Sequence, residues 1–399
     1  MVLDTVAGEA KPDTKQSQAY SPRRVGVLGG GQLGRMLLTP AARLGLEMHI
    51  LDPDADCPCA AFTGALTVDD FRDHDAVVAF GRGLDVVTIE IEDVSVSGLS
   101  ALEAEGVHVY PSPAIILEIQ DKGLQKALFD RLSLPTAPYQ LYQNATEVAA
   151  AVVPGRGFVQ KTRRGGYDGK GVKVFPPAAD SQVIESMLFD TPSVVEACID
   201  IEKELSIIVA RNPAGQVACF PLVEMVFDPV LNLVDFLVSP ARVPETISRR
   251  AEAYARTLAD GLALVGVLAI ELFLTKDGEL LINEMAPRPH NSGHPTIEAN
   301  LTSQYEQLLR AICGLPLGDP SARCAAGMLN LIGAPEHTGP PVYDGLFAAM
   351  QIPGAYPHLY GKAETRPGRK MGHITLLGAS AEAVIAECQA IKRNCRVIT

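Results

Sequence analysis

Two glutamates set symmetrically about a turn are the strongest chemical signal in this 399-residue sequence. In "LAIELFLTKDGELLINEMAPRPHNSGH", Asp277-Gly278 between two apolar runs predicts a two-residue hairpin turn. Counting outwards from that turn sets Lys276 against Glu279 and Glu271 directly against Glu284, with Cβ atoms about 5 Å apart. Like charges that close, among "AIELF" and "LLINEM", destabilise a hairpin unless a cation lies between them. Magnesium suits two carboxylates completed by phosphate oxygens and water. Arg288, His290 and Asn291 follow at once in a proline-broken loop and add donors beside the metal. His290 and His294 stand four apart, but Pro289, Gly293 and Pro295 keep them off a common helix, which argues against a dihistidine metal site.

A second constellation is "GFVQKTRRGGYDGKGVKVF", a strand carrying Lys161, a glycine-rich turn and a second strand. Gly165, Gly166, Gly169 and Gly171 allow close backbone approach, while Lys161, Arg163, Arg164 and Lys170 supply positive charge. Polyphosphate is the natural guest, although the stretch is not a P-loop, since neither the G-K-[ST] ending nor a following helix is present. In "SVVEACIDIEKELSIIVA", Glu196 ends an apolar strand, and Glu202 and Glu204 precede another. Such a linker can offer an acceptor for ribose hydroxyls and backbone groups for an adenine edge.

The third is "VGVLGGGQLGRM", where Gly29, Gly31 and Gly34 fit G-x-G-x-x-G, with Asp52 after the next strand. That is the outline of a dinucleotide fingerprint. Asp52, however, lies eighteen residues beyond Gly34 in a loop that need not reach a ribose, and "TIEIE" sets Thr88, Glu90 and Glu92 on one strand face. Two acids there suit an amine- and hydroxyl-bearing ligand better than a pyrophosphate. Gly31, Gln32, Leu33 and Glu90 are therefore read as one wall of a substrate pocket.

These groups need a scaffold. "RVGVLG", "LEMHILD", "DVVTIEIE" and "VHVYPS" alternate with helical stretches and predict a parallel sheet covered by helices. "AIILEIQDKGLQKALFDRLSLPTAPY" predicts a hinge helix ending before Pro135. Residues 155–320 read as hairpins with a few helices, and a Gly/Pro/His-rich segment, the strand "HITLLG" and an amphipathic helix close the chain. The expected division is a disordered tail over 1–21, a Rossmann-like domain over 22–120, a central region over 121–320 and a C-terminal domain over 321–399. Within the central region, a lid subdomain spans about 138–197 and a nucleotide and metal part spans 198–320.

Composition is that of a globular protein, 47% hydrophobic and 20% charged, and the net charge of -13 argues against nucleic acid held by bulk attraction. No run has the length of a membrane span, the first residues lack a signal-peptide core, and eight scattered cysteines read as free thiols. A cytoplasmic setting is expected, with no membrane partner.

Lysine before a glycine-rich lid, an acidic hinge strand and the Glu271, Asn283, Glu284 set together resemble the ATP-grasp superfamily. "GGGQLGRM", "TIEIE", "QDKGLQK", "KTRRGGYDGKG", "NEMAPRPHNSGH" and "YGKAETRPGRKMGH" are similar to the N5-carboxyaminoimidazole ribonucleotide synthetases of purine biosynthesis, from about residue 22 to 390. The resemblance implies an α/β ATP-grasp architecture: a Rossmann-like pre-ATP-grasp domain, a central α+β ATP-grasp region and a small β-rich C-terminal domain. It implies ATP-driven conversion of bicarbonate to carboxyphosphate and carboxylation of the exocyclic amine of aminoimidazole ribonucleotide. Lys122 and Lys161 would hold ATP phosphates under a lid of Gly166, Tyr167, Asp168, Gly169, Lys170, Gly171 and Val172. Glu196, Ala197, Cys198 and Ile199 would form the adenine hinge, and Glu204 would take the ribose. Glu271 and Glu284, with Asn283 beside them, would hold Mg2+. Arg288, His290 and Asn291 would handle bicarbonate and carboxyphosphate. Tyr167, Asp168 and Arg288 would meet the ribonucleotide, whose phosphate would go to Lys362, Arg369 and Lys370.

The family also implies a homodimer. Some relatives carry a fused carboxymutase domain, which these residues do not include. Met225 and Phe227 stand where the family commonly has Asn and His near the nucleotide. Rival readings are a purine-synthesis ligase acting on glycinamide ribonucleotide, a nicotinamide oxidoreductase resting on residues 25–52 alone, and a non-catalytic nucleotide sensor.

Overall fold

The computed structural model describes residues 21, 23–153, 155–165, 171–227 and 234–399. The expected tail over residues 1–20, and Gly166, Tyr167, Asp168, Gly169 and Lys170 of the lid, lie outside the described residues. The first unit is a five-stranded parallel sheet of β1 (Arg24–Leu28), β2 (Glu47–Asp52), β3 (Leu66–Val68), β4 (Val86–Ile89) and β5 (His108–Val109), in the order β3-β2-β1-β4-β5. The inner strands β1 and β4 are buried on both faces because helices cover both. The glycine-rich turn leaves the carboxyl end of β1 and enters the helix Gln32–Arg43.

Two helices, Pro113–Ile119 and Lys122–Arg131, replace the single hinge helix expected. The break is made by Asp121, whose carboxylate caps the second helix through the N–H groups of Gly123 and Leu124. Likewise, "TIEIE" is not strand to its end: the strand assignment stops at Ile89, so Glu90 and Glu92 leave the sheet and turn to different partners.

Two antiparallel sheets follow. β6 (Tyr139–Tyr142), β7 (Phe158–Thr162), β8 (Val172–Phe175) and β9 (Ser193–Ala197) form the smaller, ordered β6-β9-β7-β8. The larger combines β10 (Ile201–Arg211), β11 (Val217–Cys219), β12 (Val223–Phe227), β13 (Val234–Ser239), β14 (Gly266–Thr275), β15 (Leu280–Ala286), β16 (Ala325–Ile332), β18 (Ala355–Leu359) and β19 (Lys370–Gly378). β17 (Val342–Asp344) pairs separately with β20 (Arg396–Ile398). Since β16 bonds to β13, the C-terminal strands β16, β18 and β19 extend the central sheet rather than building their own.

The apolar core beneath β10, β14 and β15 includes Leu205, Ile207, Leu268, Ile270, Leu272 and Ile282, packed against Ala251, Ala255 and Leu258 of the helix Glu245–Gly261. That packing fixes the opposite sheet face, where the polar residues of β10, β14 and β15 look into the cleft. Among the described residues, no helix is long and apolar enough to cross a membrane.

Candidate functional site

Glu271 pairs with Glu284 across the β14–β15 ladder, but not by the predicted turn. Thr275 N–H bonds to Glu279 carbonyl, so the loop holds three residues, Lys276, Asp277 and Gly278, with Gly278 at φ 87° in the left-handed region. This loop is one residue longer than the Asp-Gly turn, because a type I turn closed by a left-handed glycine gives the strand twist equally well. The ladder then sets Leu272 against Ile282, a β-bulge accommodates Asn283, and Glu271 meets Glu284. The bulge directs Asn283 and Glu284 into the cleft together.

Around this pair the charges are arranged in layers. Lys161 Nζ donates to Asn283 Oδ1 at 2.8 Å and lies 2.9 Å from Glu196 Oε2. The other carboxylate oxygen of Glu196 is 2.6 Å from Lys126 Nζ, which also donates to Thr136 Oγ1. Glu196 and Lys126 are each 3% exposed. Burial opposes the Glu196 charge, yet the two ammonium groups outweigh it and hold the carboxyl below its usual range. Lys122 Nζ is 3.9 Å from Glu284, and His290 Nε2 is 3.3 Å from Glu271. His290 Nδ1 accepts from Ser292 N–H, which leaves Nε2 to carry the proton facing the carboxylate.

Desolvation works against the charge of Glu271, but His290 reverses it and holds this carboxyl low. Glu284 is pushed up by desolvation and by Glu271. Glu204, opposite Met225 on the neighbouring strands, is raised to about 7 by burial and then by the Glu271 charge. Three carboxyl groups crowding one cleft, with oxygen donors throughout, fit a hard divalent cation. Among the described residues, no group of three or more His, Cys, Asp or Glu forms a metal cage on its own, so phosphate oxygens would have to complete the coordination.

The hinge residues Ala197, Cys198 and Ile199 form the crossover from the small sheet to β10, and Ala197 and Cys198 are exposed. Gly171 and Val172 lead into β8, with Val172 opposite Lys161. Arg163, counted among the phosphate-binding charges, makes a bidentate pair with Asp121 at 2.8 Å for both bonds. It ties the lid strand to the helix that carries Lys122 and Lys126.

On the other side of the cleft, Arg288 Nη2 lies 2.9 Å from Glu92. Beside it, both polar side-chain atoms of Asn291 are buried with no partner among the described residues. Buried amides are rarely left in that condition, and both atoms of Asn291 keep their hydrogen-bonding capacity for a polar group.

The glycine turn has its own anions. Gly30 N–H donates to Asp52 at 2.6 Å, Gly31 N–H to Glu90 at 2.6 Å and Gly34 N–H to Glu90 at 2.5 Å. A Cβ on Gly29 or Gly31 would strike the Glu90 carboxylate, and one on Gly30 would strike the Cys57 thiol. These glycines therefore admit protein groups, and the three amides are occupied by carboxylates, which repel a pyrophosphate. Gln32 faces outward and accepts from Lys362 Nζ at 2.8 Å, while Lys362 also donates to the Lys370 carbonyl at 2.7 Å. Arg369 donates to the Glu364 carbonyl in the same loop. Leu33 is buried in the core beside the turn, leaving its backbone at the pocket.

Sequence reasoning passed over Lys126, and it set Glu92 on the ligand-facing side with Glu90 rather than against Arg288. Lys126 carries a signal, one helical turn after Lys122; Glu92 carried none that named Arg288 as its partner. His294, four residues past His290, points away from the metal pair, with Nδ1 2.8 Å from Tyr305 Oη.

Most of the chain has counterparts. The ATP-grasp domain family matches residues 127–305, the ribonucleotide synthetase preATP-grasp domain residues 23–120, and the phosphoribosylaminoimidazole carboxylase C-terminal domain residues 326–387. The N5-carboxyaminoimidazole ribonucleotide synthase of Synechococcus elongatus is 39% identical over 389 residues, covering 94% of this chain and 97% of that one. The crystal structure of the Thermotoga maritima synthetase superposes with a TM-score of 0.86 at 38% identity, over 94% of this chain and 99% of that one. The Aspergillus clavatus enzyme, solved with ADP and 5-aminoimidazole ribonucleotide, gives 0.82 at 31% identity, over 93% and 98%. Since these relatives match more than nine-tenths of the chain at 31–39% identity, and the opposed glutamates, the lysine-bearing lid strand and the self-capped glycine turn lie within the matched residues, the chain belongs to the N5-carboxyaminoimidazole ribonucleotide synthase family.

Proposed function

We propose that the chain carboxylates the exocyclic amine of 5-aminoimidazole ribonucleotide, using ATP and bicarbonate, in purine biosynthesis. The observation that carries this reading is the cleft in which Lys161, Asn283, Glu271 and Glu284 meet, facing Arg288 and the unpartnered Asn291. Lys122 and Lys161 hold the ATP phosphates, the hinge over Glu196, Ala197, Cys198 and Ile199 takes adenine, and Glu204 takes the ribose. Glu271 and Glu284 hold Mg2+, which when bound offsets charge on the phosphoryl group.

A bicarbonate oxygen attacks the γ-phosphorus, the bond to ADP breaks, and carboxyphosphate forms. Arg288 pairs with this planar anion, and His290 and Asn291 orient it. The substrate amine then bonds to the carboxyl carbon, inorganic phosphate leaves, and the amine loses a proton. Gly166, Tyr167, Asp168, Gly169, Lys170, Gly171 and Val172 close over the site and exclude water, which would destroy carboxyphosphate. Tyr167 and Asp168 meet the imidazole. Gly31, Gln32, Leu33 and Glu90 form the ribonucleotide wall, and Lys362, Arg369 and Lys370 take its 5′-phosphate. The enzyme works in the cytoplasm as a homodimer.

Replacing Arg288 with Ala tests the assignment. Mg-ATP binding, followed by calorimetry, should persist while bicarbonate-dependent phosphate release is lost. Normal turnover in this variant would overturn the role given to Arg288.

A further inference from the structure

Behind the anion loop lies a polar cluster that the reaction as described does not use. Three imidazoles stack through the join between that loop and the C-terminal strands. His294 lies on His373 with ring centroids 4.6 Å apart, and His373 lies on His358 at 4.4 Å with the planes 11° from parallel. His294 and His373 are fully buried. Two buried tyrosine hydroxyls hold the rings in plane, Tyr305 Oη at 2.8 Å from His294 Nδ1 and Tyr360 Oη at 3.0 Å from His373 Nδ1. At the outer edge, His358 Nε2 is 2.8 Å from Glu298.

The connections of these rings are informative. His294 follows Arg288 by six residues and His290 by four. His373 follows Lys370 by three on β19, where it faces His358 across the β18–β19 ladder, and Tyr360 precedes Lys362 by two. The segment from His294 to Glu298 thus grips the β18–β19 hairpin at two points. One end of the stack is continuous with the anion-handling loop and the other with the basic loop. A phenyl ring at 294 or 373 could stack, but it would leave a buried tyrosine hydroxyl without its partner, and one at 358 would leave the Glu298 carboxylate without its partner.

We infer that the His294–His373–His358 stack is a positioning element of the ligase, setting the distance between Arg288 and His290 and the basic loop of Lys362 and Lys370. It rests on the function proposed above. If the amine-bearing substrate is held by its phosphate at one end and meets carboxyphosphate at the other, that distance decides whether the amine captures the carboxyl group or water does. Burial disfavours the charged form of both inner imidazoles, so His294 and His373 hold their stacked geometry as neutral rings.

The test uses His373→Phe at the centre of the stack and His358→Ala at its edge, in the full chain. Three quantities are measured: KM for aminoimidazole ribonucleotide, KM for ATP, and phosphate released per ribonucleotide consumed. We expect KM for the ribonucleotide to rise by about tenfold, KM for ATP to stay within about twofold, and the phosphate ratio to climb above one. Should His373→Phe fail to fold, the edge variant carries the same expectation. Unchanged ribonucleotide KM and phosphate ratio in the folded variants would overturn the inference, as would equal rises in both KM values. Wild-type protein that consumes no ribonucleotide with ATP and bicarbonate would instead contradict the functional reading itself.

Discussion

Glu271 stands directly opposite Glu284 on the β14–β15 ladder, and at the bulge beside them Lys161 Nζ donates to Asn283 Oδ1 at 2.8 Å. His290 and Lys122 already face the two carboxyl groups, and a divalent cation between them would offset the charge that remains. Glu284→Gln keeps the shape and removes one charge. It should lower ATP turnover by roughly a hundredfold or more, followed as ADP release. Turnover near wild type would remove Glu284 from the metal site.

Among the described residues, Glu196 is the only carboxylate paired with both Lys126 and Lys161, one oxygen each. Glu196→Ala leaves two buried ammonium groups without that counter-ion and should cost about 3–5 kcal/mol. A thermal midpoint within a degree of wild type would show that the lysines find another partner or lose their charge cheaply.

The amides of the glycine turn are already bonded to Asp52 and Glu90. NADH should therefore cause no change in thermal midpoint, while Glu90→Ala should destabilise the protein by roughly 1–3 kcal/mol through the orphaned N–H groups. Saturable NADH binding that survives in the wild type would reverse this reading of the turn.

Burial holds His294 and His373 well below the usual histidine pKa, with Lys370 and Arg288 adding to the effect on His294, while Glu298 pairs with His358 at the edge. In the unfolded chain each would take up a proton near pH 6.5, so their contribution is complete above that pH and is lost as pH falls below it. His373→Phe removes one such group. Its stability should fall less steeply between pH 6.5 and 5, by about 1.4 kcal/mol per pH unit relative to wild type. Parallel curves would show that His373 is protonated or solvent-linked in the folded state.

Periodicity and turn chemistry made much of this fold legible. The parallel sheet, the hairpin with its opposed glutamates and the lysine strand before the lid all follow from local patterns. The hairpin shows the limit as well: the turn was one residue longer than its Asp-Gly signature implied, and the bulge at Asn283 compensated. Neither departure is visible locally, since the bulge depends on what packs below Ile282 and Leu272. Contacts between distant segments were opaque for the same reason. Arg288 with Glu92, Arg163 with Asp121 and the histidine stack each join residues that only the assembled sheets bring together.

The most direct test is coupled ADP release from Mg-ATP, measured with bicarbonate and aminoimidazole ribonucleotide, and again with formate and glycinamide ribonucleotide. The account predicts turnover with the first pair, dependent on both bicarbonate and ribonucleotide, and none above background with the second. Turnover with the second pair alone would contradict it.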